Sequence, residues 1–392
     1  MIFHAFHADW FYWITGGILG FLWSWRLIET AWGMRKIANI SQPEWDVQIF
    51  QPRVSIIVPA LNEAENIESA LTSLLHLDYK NYEIIAVNDR SADRTGEIMD
   101  RLAAASNGKL RVIHIAELPA NWLGKPHAMW KAAQQASGDW LLFTDADVIF
   151  RTDSVRRALA YAEAVRTDHL TLVPEMEMRS PGERMMMSLF GSFMVLGYRP
   201  WKAADPTSRQ YMGGGVFNMV RRSVYERIGS FRALRMEVVE DMKLGKLVKE
   251  NGFTQRCALG PGLISIRWIV GAFGFVRNVT KNFFAFVEFQ WWRALLIILA
   301  MIFFFLLPYA GAVLAPGWSK AGFLLALAAI FCFYVAMSFH APISPLYVFT
   351  HPVGTVLVIY AMLRSACVTQ WTGGITWRGT KYPLEELKKG LV

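Results

Sequence analysis

Residues 54–63 read VSIIVPALNE, residues 82–95 read YEIIAVNDRSADRT and residues 140–147 read WLLFTDAD. Each opens with a short apolar run, rich in β-branched or aromatic side chains, and then turns abruptly polar or acidic. Runs of that length fit strands buried on both faces. Residues 110–115 (LRVIHI) add another strand. Residues 65–75, 95–105 and 125–136 carry apolar side chains at helical spacing, with Asp93 or Ser91 available to cap the second of them. Four strand–helix units in succession predict an α/β fold with a mostly parallel sheet and helices on both faces.

In open α/β sheets, ligands bind beyond the carboxyl ends of the strands. After the first strand come Pro59, Ala60, Leu61, Asn62 and Glu63; after the second, residues 88–95; after the fourth, Asp145-Ala146-Asp147. Polar and acidic groups thus converge on one edge. Two carboxylates one residue apart can share Mg²⁺ or Mn²⁺ with a diphosphate, because these hard cations take oxygen ligands. A D-x-D triplet alone is also a common solvated turn, so its place at a strand end is what favours a site. The chain has no G-x-x-x-x-G-K-[ST] loop, and no G-x-G-x-x-G follows the first strand. Gly213-Gly214-Gly215 fits either a close backbone approach to a ligand or a plain loop. Basic residues form no long clusters in the charged middle of the chain, which gives nucleic-acid binding little support.

Composition adds a membrane. Of 392 residues, 54% are apolar and 18% charged, against roughly 25% charged in an average soluble domain. Lys and Arg number 40 and Asp and Glu 32, a net charge of +8. Such a chain is too apolar to be disordered. Three widely separated cysteines, Cys257, Cys332 and Cys367, make no disulfide scaffold. His127, His340 and His351 are isolated and read as core rather than metal ligands. Residues 294–319 hold no Asp, Glu, Lys or Arg over 26 positions, and residues 321–363 none over 43. A span needs roughly 20 apolar residues, so these runs allow one crossing and up to two. Residues 10–25 are uncharged and bounded by Trp10, Tyr12, Trp13, Trp23 and Trp25, as interfacial aromatics are. Without a basic leader or an A-x-A site they read as an anchor, not a signal peptide.

Arg26, Arg35 and Lys36 follow the first run and Arg293 precedes the second. The positive-inside rule then predicts a cell-membrane protein, multi-pass, with its large charged middle in the cytoplasm, as at a bacterial inner membrane, and its N-terminus outside. The expected division is an N-terminal anchor (1–34), a soluble domain (35–270), an amphipathic interfacial helix (271–293), a C-terminal transmembrane region (294–366) and a basic tail (367–392). The helix at 271–293 rests on Phe, Val and Trp alternating with Arg277, Lys281 and Arg293; an ordinary domain helix is the alternative. The tail is net basic, which favours the cytoplasm, whereas three C-terminal crossings would leave it outside. Run 321–363, interrupted by Pro342, Pro345 and His351-Pro352, is therefore expected not to cross twice.

The order P-A-L-N-E, N-D-R-S-A-D-R-T and D-A-D resembles the inverting family 2 glycosyltransferases of GT-A fold. Residues 122–128 (WLGKPHA) resemble that family's G-K-x-x-A segment, Glu240-Asp241 its acidic E-D step, and Arg267-Trp268 the end of its Q-x-x-R-W motif. The tail Trp377-Arg378-Gly379-Thr380-Lys381-Tyr382 is similar to the W-x-G-x-x-Y ending of membrane enzymes that glycosylate ceramide, hopanoids or carotenoid acids. The resemblance implies a GT-A, Rossmann-like sheet with transmembrane helices at both ends. It implies sugar transfer, with inversion, from a nucleotide-sugar donor such as a UDP-sugar to a lipid acceptor in the bilayer. Asp147, with Asp145 on metal or ribose, would hold Mg²⁺ or Mn²⁺ under the diphosphate. Pro59, Ala60, Asn62, Glu63 and Asp89 would shape the nucleotide pocket, and Lys125 would meet phosphate unless it is a surface charge. Asp241 would be the base, with Glu240 as alternate, unless the pair merely opens a helix. Arg267 and Trp268 would clamp diphosphate and acceptor, unless they are an interfacial pair. The chain departs from the family at Asn88, usually Asp; at Arg90, usually Gly; and at Ile264, where Gln or Arg opens the last motif. The last departure weakens a processive polysaccharide synthase. An inactive scaffold of the same fold would not need Asp145, Asp147 and Asp241 together, and a transporter would leave the acid-edged domain unexplained.

Overall fold

All seven residues of β1 (Val54–Ala60) are buried, because the strand lies inside the sheet with both faces covered. Side chains alternate along it. Ile56 joins a core with Ile67, Leu71 and Leu74 of the helix Ile67–Leu75, while Ile57 joins a second core with Ala128, Met129 and Ala132 of the helix Gly124–Gln135. The computed structural model describes residues 2–47 and 52–392, with side chains from Trp10 onward.

The chain divides into two units. One, the sheet-bearing unit, holds residues 37–177, 200–268 and 373–392. Beside β1 stand β2 (Tyr82–Asp89), β3 (Leu110–Ile115) and β4 (Trp140–Phe143), in the order β3-β2-β1-β4, all parallel. Ile57 pairs with Ile85 on one side and Phe143 on the other, so the three strands end level and their polar sequels share one edge. After β4 come β5 (Ile149–Phe150), β6 (His169–Val173), β7 (Glu175–Met176), β8 (Asn218–Arg221), β9 (Gln255–Leu259) and β10 (Ile264–Ile266). The main sheet continues as β4-β8-β6-β9, with β8 antiparallel to both neighbours. β10 joins β5 and β7 in a small second sheet. The tail forms the hairpin β11 (Gly374–Trp377) and β12 (Thr380–Pro383), followed by the helix Leu384–Lys389.

The other unit holds residues 1–36, 178–199 and 269–372. Among the described residues three helices are long and apolar enough to cross a membrane: Trp291–Leu314, Gly317–Ser338 and Pro345–Thr372. The N-terminal helix Ile2–Met34 packs lengthwise on the second of these. A Cβ on Gly322 would lie 2.3 Å from the Gly16 carbonyl carbon, so the two backbones touch, as small residues permit between membrane helices. Tyr12 meets Phe323 and Trp23 meets Phe333, which makes the two helices parallel. Trp23 also stacks on Phe304 and donates to its carbonyl, while Gly311 abuts Phe323, so Trp291–Leu314 runs the opposite way. Pro345–Thr372 starts with His351 stacked on Phe305 and later places Ser365 against the Phe284 amide, near Trp291. It is therefore antiparallel to Trp291–Leu314 and runs in the same sense as Gly317–Ser338.

Two boundaries differ from the sequence expectation. Residues 271–293 are not one helix: Gly271–Val279 and Phe283–Phe286 are separate, and positive φ at Glu288 (55°) and Phe289 (58°) breaks the chain before Trp291. Residues 178–199 leave the soluble domain for the apolar unit. Their helix Pro181–Phe193, closed by a Ser180/Glu183 capping box, buries Met186, Met187 and Leu189, and Glu183 also accepts from the Gly271 amide at 3.0 Å.

Candidate active site

The acids expected at the strand ends meet a lysine. Lys125 lies on the first turn of the helix Gly124–Gln135, and its Nζ sits 2.7 Å from Asp145 Oδ1 and 2.9 Å from Glu240 Oε1. It is no surface charge: its side chain is one-fifth exposed, and that of Glu240 only 4%. Burial opposes the charge on Lys125, but Asp145, Glu240 and Asp241 together hold its pKa well above the usual lysine value. The sequence reading assigned Lys125 to phosphate; the structure gives it two carboxylates.

Asp147, two residues beyond Asp145, has the opposite problem. Burial, then Asp145 and Glu63, push its carboxyl up to about 6. Asp145, Asp147 and Glu63 thus form a focus of negative charge that Lys125 offsets in part. Among the described residues no group of three or more His, Cys, Asp or Glu side chains is arranged to hold a metal ion by itself. A cation here would have two carboxylates and need further oxygens, which a diphosphate supplies.

Gly213–Gly215 belongs to this site. A Cβ at 215 would lie 2.6 Å from Asp145 Oδ2 and 3.2 Å from Lys125 Nζ, and one at 213 would strike the Asp241 carbonyl at 2.0 Å. The segment is a loop without regular structure, and at 213 and 215 glycine permits close approach to the Asp241 carbonyl and to Asp145, whereas a Cβ at 214 would meet nothing within 4 Å. Asp241 opens the helix Glu240–Glu250. Its carbonyl accepts from Asn218 Nδ2 at 3.1 Å, Asn218 in turn bonds His169 Nε2, and His169 Nδ1 faces Gln255 Nε2 at 2.7 Å. Gln255 also holds both backbone groups of Met212. This fully buried polar network supports the 212–241 floor of the site, and nothing in the local sequence singled it out.

Of the remaining expected residues, Pro59 and Ala60 occupy the last two ladder positions of β1, buried, so they shape the edge through backbone. Asn62 is a tie: in the left-handed region (φ 55°), it receives the Ala92 amide on Oδ1 at 2.8 Å and gives its own amide to Ser91. Glu63 is engaged by Arg378, which also reaches the Leu61 carbonyl. Asp89 is buried and bound by both arms of Arg90, at 2.7 and 2.9 Å. Arg267 and Trp268 directly follow β10. In antiparallel register Ile264 opposes Phe150 and Ser265 opposes Ile149, two residues beyond Asp147.

Known proteins resemble this chain in sequence and in fold. Residues 55–242 match the model of Glycosyl transferase family 2. The chain is 25% identical over 228 residues to a 4,4'-diaponeurosporenoate glycosyltransferase of Staphylococcus haemolyticus, covering 56% of this chain and 58% of that protein. It is 29% identical over 143 residues to a poly-beta-1,6-N-acetyl-D-glucosamine synthase of Staphylococcus aureus, covering 36% and 31%. The matches therefore span less than two thirds of either relative. Among solved structures, a mannosyltransferase from Pyrobaculum calidifontis, in complex with GDP-Man and Mn²⁺, superposes with a TM-score of 0.51 at 18% identity over 91% of this chain and 99% of that one. At that identity the likeness concerns the fold, which is the expected GT-A arrangement. Residues 55–242, just under half of the chain, thus resemble the family 2 glycosyltransferases.

Proposed function

We propose that this protein transfers a sugar, with inversion, from a nucleoside-diphosphate donor to a lipid acceptor in the membrane. The observation that carries the reading is Lys125 held between Asp145 and Glu240, beside Asp147, at the shared strand edge. The carotenoid-acid relative supports a lipid acceptor.

A divalent cation would suit the site, because burial and then the Asp145 and Glu63 carboxylates hold Asp147 up, and a cation would favour its charged form. Asp147 and Asp145 would hold it, and it would supply Lewis-acid neutralisation of the departing diphosphate. The protein's own groups do the rest. Lys125 offsets the carboxylates and sits ready to meet phosphate oxygens when the donor arrives. Gly215 keeps side-chain bulk away from the charged groups. Asp241 takes the acceptor proton, its position fixed by Asn218; Glu240, buried and paired with Lys125, serves as the lysine's counter-ion and is a poor base. Arg267 and Trp268, directly after β10, guide the acceptor.

The polysaccharide-synthase relative supports a second outcome, a polymer, which Ile264 in place of the usual glutamine disfavours. Mass spectrometry of lipid extracts from cells making the wild-type protein or Asp241→Asn separates the two. A sugar-bearing lipid in the wild type alone is expected. Identical lipid profiles, with new polymer in the medium, would overturn the lipid reading.

A further inference from the structure

His169, Asn218 and Gln255 are the first residues of β6, β8 and β9. Strand pairing puts all three on one face of the sheet: His169 opposes Gln255, and Asn218 opposes Thr171, two residues along β6 from His169. The helix Glu240–Glu250 covers that face, where its Leu244, Leu247 and Val248 join a core with Val220 of β8. Polar side chains under such a cover are costly unless donors meet acceptors, and here the hydrogen bonds can be followed in one direction.

The Met212 amide donates to Gln255 Oε1 at 2.7 Å, so the other end of that side chain is its NH2 group. Nε2 gives its hydrogens to the Met212 carbonyl at 2.8 Å and to His169 Nδ1 at 2.7 Å. Nδ1 is therefore an acceptor, and the proton of the neutral imidazole lies on Nε2, which donates to Asn218 Oδ1. That turns Asn218 Nδ2 to the Asp241 carbonyl, 3.1 Å away. A second proton on His169 would set an N–H against the Gln255 NH2 and break the chain; burial opposes it, pushing the His169 pKa down to about 4.

The chain of bonds ends on the residue assigned as base. Asp241 Oδ1 accepts from the Met242 amide at 2.7 Å, so backbone and carboxylate are both held, and Oδ2 is left for an acceptor hydroxyl. At the other end, Met212 leads into the loop whose Gly213 lies against the Asp241 carbonyl and whose Gly215 lies against Asp145. One set of hydrogen bonds thus ties the base to the acids on the donor side.

We propose that His169, with its proton on Nε2, is a positioning residue for sugar transfer: through Asn218 it fixes the Asp241 carboxylate at the spacing from Asp145 that the reaction needs. The proposal rests on the assignment of Asp241 as base in the proposed function. Its test is turnover by the full chain in bilayers of the host's own lipids, with labelled UDP-glucose, UDP-GlcNAc and GDP-Man as donors. Asn218→Asp keeps the side-chain volume and the acceptor for His169 but turns an oxygen to the Asp241 carbonyl. It should lower kcat by about tenfold to a hundredfold while the donor KM stays within about twofold, as misplacement of a reacting group does. His169→Phe should match that loss, and His169→Gln, whose amide can still donate to Asn218, should recover part of it. In ¹⁵N-histidine spectra of the wild type at neutral pH, His169 should carry its proton on Nε2. A network that only braces the fold would lower the melting temperature of these variants and leave kcat of the folded enzyme at the wild-type value. That result, a donor KM that rises in step with the fall in kcat, or a proton on Nδ1 would each overturn the proposal. Full loss in Asp241→Asn with none in Asn218→Asp would defeat the positioning role alone, whereas wild-type turnover in Asp241→Asn would defeat the base assignment and the proposal with it.

Discussion

Lys125 is coupled to two carboxylates whose burial differs, and that difference sets what its removal does. Glu240 is 3% exposed and would lose the Lys125 ammonium from its side in Lys125→Met. Removing one member of such a pair costs about 3 kcal/mol or more, so the variant should melt well below the wild type in detergent. Adding Glu240→Gln should recover much of the loss, because the buried charge is gone; losses that simply add would show that the two groups do not interact. His169 makes a pH prediction. Burial pushes its pKa down to about 4 from the ordinary 6.5. Between these values the unfolded chain binds a proton that the folded chain excludes, so stability is complete above pH 6.5 and is lost as pH falls toward 4. The loss is at most about 3 kcal/mol. A chemical-denaturation series from pH 7 to 4.5 should show it in the wild type and a flatter profile in His169→Gln. Equal slopes would remove His169 from the titrating groups.

The strands and helices of the first half were legible because each obeys a local rule. β1 reads as a continuous apolar run since both faces are covered, and the helix Ile67–Leu75 shows its face at Ile67, Ala70, Leu71 and Leu74. The acids at the strand ends were legible for the same reason: topology alone gathers them. The partners of those acids were not. Lys125 meets Glu240 across 115 positions of chain, and Arg90 meets the hairpin across 290; no local pattern encodes such pairings. His169, Asn218 and Gln255 are isolated polar residues in sequence and become a network only when β6, β8 and β9 stand side by side. The sequence did carry one signal for Arg90, its presence where the related enzymes have glycine. The interfacial helix failed because periodicity over residues 271–293 does not reveal the positive φ at Glu288 and Phe289.

At the scale of the whole chain, connectivity constrains the membrane topology. Residues 269–372 leave the sheet-bearing unit and return to it, so with that unit on one side of a membrane the segment would cross an even number of times. Three helices of crossing length with an even count require two to share a crossing. Gly317–Ser338 and Pro345–Thr372 run in the same sense and so are the pair that does. A cysteine at Lys388 and one at the exposed turn residue Asn107, each in a variant lacking the native cysteines, should therefore respond alike to an impermeant maleimide. Both are expected to resist it in intact cells and react after lysis; reaction of the Lys388 position alone would mean three full crossings. What ties these scales together is sugar transfer to lipid at the Asp145–Asp147 edge. The decisive measurement is the fate of a labelled nucleotide sugar given to the purified full chain in bilayers of the host's own lipids. Label should pass into the solvent-extractable lipid, and both Asp147→Asn and a chelator should stop it. Label released only as free sugar or in water-soluble polymer, or transfer that persists in Asp147→Asn with chelator present, would contradict it.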